Sequence, residues 1–219
     1  MKKHYIFFIF FILLLLTGCG SSDEKHLKTA KVDDIKTIFI DHGSANLLLQ
    51  SANQLNIEAS YNKREITLDK SHEQITLGVE KKMFTIGPKL NKNAEFKVTI
   101  PNDFKGKVVI NGSSGNISSD QLSTSNLEIE TKSGNISIVF ADFGSDIHVV
   151  TSGNVELGLN EEQPDVQLKS KTRSGSNIIA LPILISLNEL QDEKEIEVIS
   201  GNGKFDINIK TGSGDITVR

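Results

Sequence analysis

One thiol is present in the chain, Cys19, and it closes the run Leu16-Thr17-Gly18-Cys19. A lone thiol can be acylated or oxidised. It cannot form an intrachain disulfide or a multi-cysteine metal site. Asp41-His42-Gly43-Ser44 sets an acid, an imidazole and a hydroxyl side by side. Triad chemistry needs those groups to face one another across space, which four consecutive residues cannot do. A turn is the expectation there. His148 sits between Ile147 and Val149 and is expected to face solvent. His26 lies in a polar stretch and His72 in the turn-like Lys70-Ser71-His72-Glu73, so the histidines show no metal-ligand spacing. Glu128, Glu130, Asp146, Glu156, Glu195 and Glu197 are dispersed along the sequence and read as solvated charge. A polysaccharide-cleaving site would need such acids paired in one groove. Gly212-Ser213-Gly214-Asp215 lacks the following helix of a phosphate loop. Lys169, Lys171 and Arg173 alternate, so they can share one exposed face. They are the candidate contact for a partner or an anionic polymer such as teichoic acid. No catalytic, metal or cofactor site is expected.

The elements around Cys19 give its chemistry a setting. Lys2 and Lys3 precede Tyr5–Leu16, an unbroken apolar run of 12 residues. That length suits an export signal and is too short for a bilayer-spanning helix. Leu16-Thr17-Gly18-Cys19 resembles the lipobox of bacterial lipoproteins. The resemblance implies cleavage before Cys19, lipid on its sulfur, and attachment to the outer side of the cell membrane. Residues 1–18 are then a signal peptide, and residues 19–34 are expected to form a polar, flexible stalk.

Without Lys2 and Lys3, the 24 basic residues become 22 against 28 acidic ones, a net charge of −6. An acidic chain is a poor partner for nucleic acid. Past residue 18 there is no Trp, and Tyr61 is the sole Tyr, so stacking platforms for sugar rings are scarce. The abundance of Ile, Lys and Asn suits a low-GC Gram-positive bacterium.

From residue 35 onward the chain alternates apolar and polar residues with the period of a strand. Leu127-Glu128-Ile129-Glu130 and Phe205-Asp206-Ile207-Asn208-Ile209 are clear cases. A longer repeat lies above this. Ser114-Gly115-Asn116-Ile117 returns as Ser133-Gly134-Asn135-Ile136 and as Ser152-Gly153-Asn154-Val155, with 19 residues between successive glycines. Looser copies follow at Ser174-Gly175-Ser176-Asn177-Ile178, Ser200-Gly201-Asn202-Gly203 and Ser213-Gly214-Asp215-Ile216. Such self-similarity marks a repeat fold whose coils bury their apolar faces on one another.

Two apolar columns are expected, in sequence order. Before the turns come Val108 and Ile110, Leu127 and Ile129, Ile147 and Val149, Val166 and Leu168, then Ile196 and Val198. After them come Ile117, Ile136 and Ile138, Val155 and Leu157, Ile178, then Ile216 and Val218. The predicted fold is an all-β solenoid, or β-helix, of roughly 19-residue coils. Residues 35–101 are less regular and are expected to begin and cap it, with strands near 36–41, 45–50, 55–60, 64–69, 74–80, 83–87 and 95–100. An insertion between Leu181 and Glu195 includes Ser186-Leu187-Asn188-Glu189, a capping box that could start a helix.

The repeated Ser-Gly-Asn-Ile turns, the opening Ile38-Phe39-Ile40 with Ala45-Asn46-Leu47-Leu48-Leu49, and the close from Gly201 to Ile216 resemble a bacterial family of unknown function labelled "putative adhesin". The resemblance spans most of residues 35–219, which we treat as one domain. It implies a β-helical fold and offers no established catalytic residues to transfer. The expectation is a non-enzymatic, lipid-anchored envelope protein that binds or scaffolds a membrane-side protein or cell-wall polymer. Two further expectations are cell-wall polysaccharide binding or cleavage, and service as an accessory to envelope-stress signalling.

Overall fold

The computed structural model describes residues 26–62, 64–80, 95–181, 185–186 and 194–219. Cys19, the signal peptide, the strand expected at 83–87 and the capping-box residues Leu187 to Glu189 lie outside the described residues.

The described chain forms strands throughout. In order they are β1 (His26–Lys31), β2 (Thr37–Gly43), β3 (Asn46–Ala52), β4 (Asn56–Tyr61), β5 (Ile66–Ser71), β6 (Gln74–Val79), β7 (Glu95–Pro101), β8 (Lys107–Gly112), β9 (Ile117–Leu122) and β10 (Asn126–Thr131). Then come β11 (Ile136–Phe140), β12 (Asp146–Thr151), β13 (Val155–Gly158), β14 (Val166–Thr172), β15 (Asn177–Ile179), β16 (Ile185–Ser186), β17 (Glu195–Ser200), β18 (Phe205–Thr211) and β19 (Ile216–Val218). The expected strands between residues 36 and 100 that fall on described residues all form.

Two sheets build a solenoid, and their inner faces share one apolar core. One sheet runs β1-β4-β7-β3-β9-β11-β13-β19-β15, the other β16-β17-β14-β18-β12-β10-β8-β2-β6-β5. Each coil gives one strand to each sheet, and neighbouring coils pair in parallel. Alternation turns Leu127 and Ile129 inward beside Val108 and Ile110, all four buried, while Glu128 faces out beside Val109 and His148.

The coils do not stack in sequence order. Along the stack they run β6/β7, β2/β3, β8/β9, β10/β11, β12/β13, β18/β19, β14/β15. The last coil of the chain therefore lies between two earlier ones. At the opposite end the β6/β7 coil lies outside β2/β3. Antiparallel strands finish both ends: β4 then β1 beyond β7, β5 beyond β6, and β17 then β16 beyond β14. Among the described residues this covers three of the four edges of the stack, a recurring need of sheets, while β15 ends its own sheet.

The columns change accordingly. Ile207 and Ile209 stand next to Ile147 and Val149, where the sequence order expected Val166 and Leu168. β14 enters two residues out of step, so Leu168 meets Ile207 and Ser170 meets Ile209. Ile196 and Val198 belong to an antiparallel strand, and Val198 pairs with Leu168. Ile178 is 56 % exposed and points outward. The extra Ser176 shifts the phase by one residue, and in a strand that exchanges the two faces. Asn177 takes the place opposite Ile216, and Ile179 lies opposite Val218.

Two shorter corrections concern the segments at the margins. The stalk expected over 19–34 is not flexible throughout, because His26–Lys31 pairs with Tyr61–Asn56 as an edge strand. Alternation of Leu27, Thr29 and Lys31 with His26, Lys28 and Ala30 was hidden by the polar composition. Ser186, read as a helix cap, instead closes the short strand Ile185–Ser186 against Ile199 and Val198.

The corners explain the repeat. The glycines at 115, 134, 153, 214 and 175 sit one above another in that spatial order, Gly115 packed on the Ala45 carbonyl and each later one on the preceding glycine carbonyl. A Cβ at Gly134 or Gly153 would overlap the carbonyl of the coil below. The following residues form a polar ladder. The Asn116 amide donates to Asn46 Oδ1 at 3.0 Å, Asn135 to Asn116 at 3.0 Å, and Asn154 to Asn135 at 3.1 Å. Asp215 then donates to Asn154 Oδ1 at 3.0 Å, and Ser176 to Asp215 Oδ1 at 2.9 Å. Each bond satisfies a backbone N–H that the turn would otherwise leave unpaired, for about 1 kcal/mol. Buried hydroxyls add a third row: Thr151 Oγ1 donates to Gly134 O, Thr211 Oγ1 to Gly153 O and Thr172 Oγ1 to Gly214 O.

Candidate functional site

The row of buried threonines is broken at one end of the stack. At the position held by Thr131 the next coil has Gly112, and β2 contributes His42 from a bulge between Asp41 and Gly43. The His42 imidazole lies over Gly112 and is fully buried. Its Nδ1 donates to Ala45 O at 2.7 Å, and the Ala45 amide returns a bond to His42 O at 2.9 Å. This leaves Nε2 as a buried acceptor with no hydrogen-bond partner. Burial pulls the imidazole pKa down, while the Ala45 carbonyl and the Asp41 carboxylate push the other way. Neutral His42 is the form this corner accommodates. The expected turn at Asp41-His42-Gly43-Ser44 is present, with Gly43 at φ 57° and its amide held by Asp41 Oδ1 at 2.9 Å.

A cleft of about 530 Å³ opens beside this corner. Five stretches distant in sequence meet there: the 41–45 turn, Tyr61 and Arg64, Val79, Asn111 to Ser113, and Lys132. Ser113 Oγ donates to Gly43 O at 2.8 Å, so it accepts from Ser44 Oγ, also 2.8 Å away. Both hydroxyl protons are thereby committed, and the Ser44 oxygen keeps its lone pairs toward the cleft. Arg64 and Lys132 bring positive charge, and neither joins an ion pair among the described residues. Tyr61 is held by the Phe96 ring, 5.9 Å between centroids, and its phenol pKa is raised by burial against the pull of Arg64. A second cleft of about 540 Å³ lies between Val32 to Lys36 and Asp103 to Gly106.

The sequence-derived candidates sit elsewhere. Lys169 and Lys171 do share the outer face of β14. Each meets an acid of β17: Lys169 lies 3.6 Å from Glu197 and Lys171 2.6 Å from Glu195. That bond from Lys171 holds the Glu195 carboxyl below its usual range. Arg173 is exposed at the following corner, its amide on Thr211 O. The strip is therefore locally compensated rather than a bare cationic face.

Three further outward acids are likewise partnered across coils, while Glu130 is exposed. Glu128 meets Lys107, and Glu156 meets Arg219 at 2.7 Å. Asp146 Oδ1 accepts from the Asp206 amide at 3.0 Å. His148 is exposed, as expected. Among the described residues, no group of three or more His, Cys, Asp or Glu side chains converges as metal ligands would.

Arg64, Lys132 and the buried state of His42 were not anticipated. The signal available was Gly112, which precedes Ser113 where the corners of 131, 151, 172 and 211 carry a Thr. Nothing in the spacing joins residue 64 to residue 132, because the β6/β7 coil is displaced in the stack.

A model of the Toastrack DUF4097 family matches residues 35–144 and again 120–219. The chain belongs to this family, and the two overlapping matches agree with its internal repetition. No curated protein matches the chain. Among solved structures, it is similar to a "putative cell adhesion protein" from Clostridium sporogenes ATCC 15579, at 15 % identity and a TM-score of 0.62. That likeness covers 89 % of this chain and 98 % of the other. It concerns the fold. A "putative adhesin" from Bacteroides fragilis NCTC 9343 aligns at 10 % identity and a TM-score of 0.38, over 90 % of this chain and 98 % of the other.

Proposed function

For this member of the Toastrack DUF4097 family we propose a non-enzymatic lipoprotein, held by lipid on Cys19 at the outer face of the cell membrane. Its solenoid binds or scaffolds a neighbouring envelope component. The observation that carries the reading is the cross-coil pairing of outward acids: Glu128 with Lys107, Glu156 with Arg219, Glu195 with Lys171 and Glu197 with Lys169. Carboxylates neutralised in this way are spread over flat faces, whereas hydrolysis of a glycan needs two of them free across a groove. The adhesion named for the Clostridium sporogenes protein is in keeping with a binding role.

The tether is short. Six residues, 20–25, separate Cys19 from the first residue of β1. Fully extended they span about 20 Å. The β1 end of the solenoid thus lies nearest the bilayer, and the opposite end is the far one.

Growth with an alkyne analogue of palmitate tests the anchor. Label should enter the wild-type protein and be absent from Cys19→Ala, which should appear in the medium. Equal labelling of both would overturn the anchor. Crosslinking in living cells, followed by identification of the captured neighbour, tests the binding role. Release of reducing ends from wall glycans by the purified protein would replace that role with an enzymatic one.

A further inference from the structure

We propose that the cleft beside the 41–45 turn binds a polyol phosphate, its phosphate between Arg64 and Lys132 and its hydroxyls on the Asp41 and Ser44 oxygens. The proposal rests on the binding role above and names its ligand.

The chemistry of the lining points there. Arg64, in the connection between β4 and β5, and Lys132, after β10, line one opening although they are far apart in sequence. They lack carboxylate partners among the described residues, unlike Lys36, Lys107, Lys169, Lys171 and Arg219. An arginine fork and an ammonium suit the oxygens of a phosphate. The floor has the opposite character. Asp41 uses one carboxylate oxygen for the Gly43 amide, which leaves the other as an acceptor. The Ser44 and Ser113 protons are spent within the turn, so those oxygens also accept. A bare phosphate would gain from the cations and be repelled by Asp41. A neutral polyol would gain from the floor alone. A molecule that carries hydroxyls beside a phosphate satisfies both parts. The cleft volume of about 530 Å³ admits one such unit with its water. The surface is charged and partly open, which suits a repeat of a phosphodiester polymer as well as a free monomer.

Titration calorimetry on the full-length protein in neutral detergent tests this. The probes are glycerol 3-phosphate, inorganic phosphate, glycerol and poly(glycerol phosphate). Glycerol 3-phosphate should bind more tightly than phosphate or glycerol, and less tightly at high salt. Arg64→Ala and Lys132→Ala should each weaken it by about tenfold, the scale of a charge-assisted hydrogen bond. Both side chains are exposed, so the variants should keep the parental melting curve. Asp41→Asn should narrow the preference over inorganic phosphate. Tighter binding of the polymer than the monomer identifies the polymer as the source, and equal or weaker binding identifies the monomer. No binding at millimolar glycerol 3-phosphate, or binding indifferent to residues 64 and 132, overturns the proposal. That failure would leave the palmitate and crosslinking results untouched, so the two readings fail separately.

Discussion

The imidazole of His42 occupies the space that a side chain at Gly112 would need. These two residues belong to neighbouring coils 70 positions apart, and each makes sense only through the other. On the four coils stacked beyond them the inner corner is a threonine, with Thr131, Thr151, Thr211 and Thr172 all buried. The pair substitutes one large ring and one absent side chain for two medium ones.

Gly112→Ala should therefore destabilise the protein by about 1–3 kcal/mol, the usual range for overpacking. His42→Ala alone should also destabilise, through the cavity it leaves. Combined, the two should cost less than their sum by about 1 kcal/mol or more, because the overlap disappears. Urea unfolding of the four proteins measures this. Strict additivity would show that the ring does not press on residue 112.

The same burial makes stability depend on pH. His42 has a lowered pKa in the folded protein, so the unfolded chain takes up the proton more readily. Its contribution is fully present above the unfolded value of about 6.5 and is lost as pH falls from there toward the folded value. The lowered carboxyls of Asp165 and Glu195 act in the same direction, but only below about pH 4. The urea midpoint should fall between pH 7 and pH 5, and less steeply in His42→Gln. An identical slope in the variant would remove residue 42 as the cause.

Register on the last coils predicts different outcomes at nearby positions. Ile179→Asp should destabilise by several kcal/mol, for a half-buried position packed on the core. Ile178→Asp, one residue away and outward, should stay within about 0.5 kcal/mol. Ser170 stands beside Ile209 with its hydroxyl buried and unpartnered. Ser170→Ala should stabilise by about 1 kcal/mol, as the desolvated hydroxyl is removed. Thermal melts of the three variants decide whether β14 and β15 enter the stack in the described phase.

Truncation after Lys204 removes β18 and β19 from the interior of the stack. In a solenoid stacked in sequence order, such a loss would trim one end and leave the remaining coils folded. Here it separates β12 and β13 from β14 and β15 and exposes the inner and outer neighbours together. We expect the truncated chain to lose its cooperative melt and to aggregate through unpaired edges. A sharp transition within about 5 °C of the parent would refute the interposed position of the last coil.

Much of this architecture is legible in the sequence because its determinants are local. The Ser-Gly-Asn turns, the alternation and the 19-residue interval depend on neighbours in the chain, and they identify an all-β solenoid and most inward residues. Three features are not local. The coil order depends on which of several similar strands pairs with which, and parallel strands of one pattern offer no sequence label for that choice. The face of Ile178 depends on one inserted residue, Ser176, whose place in the asparagine ladder is visible only beside Asp215. The cleft joins Arg64 to Lys132 through the displaced β6/β7 coil. Spacing along the chain cannot report such a meeting, although Gly112 in a row of threonines marks its edge.

The placement of β18 and β19 also sets a timetable. A ribosome or a translocation channel delivers this chain N-terminus first, so the strands that complete the middle of the stack arrive after the coils on both sides of them. Until Phe205–Val218 emerges, β14 has no parallel neighbour and β12 has one side open. Contacts of such long sequence separation form slowly. The earlier coils must wait, incompletely sealed, for residues 205–218. Maturation is then gated by the arrival of β18 and β19, and a chaperone that guards exposed strand edges has its longest task just before those strands appear.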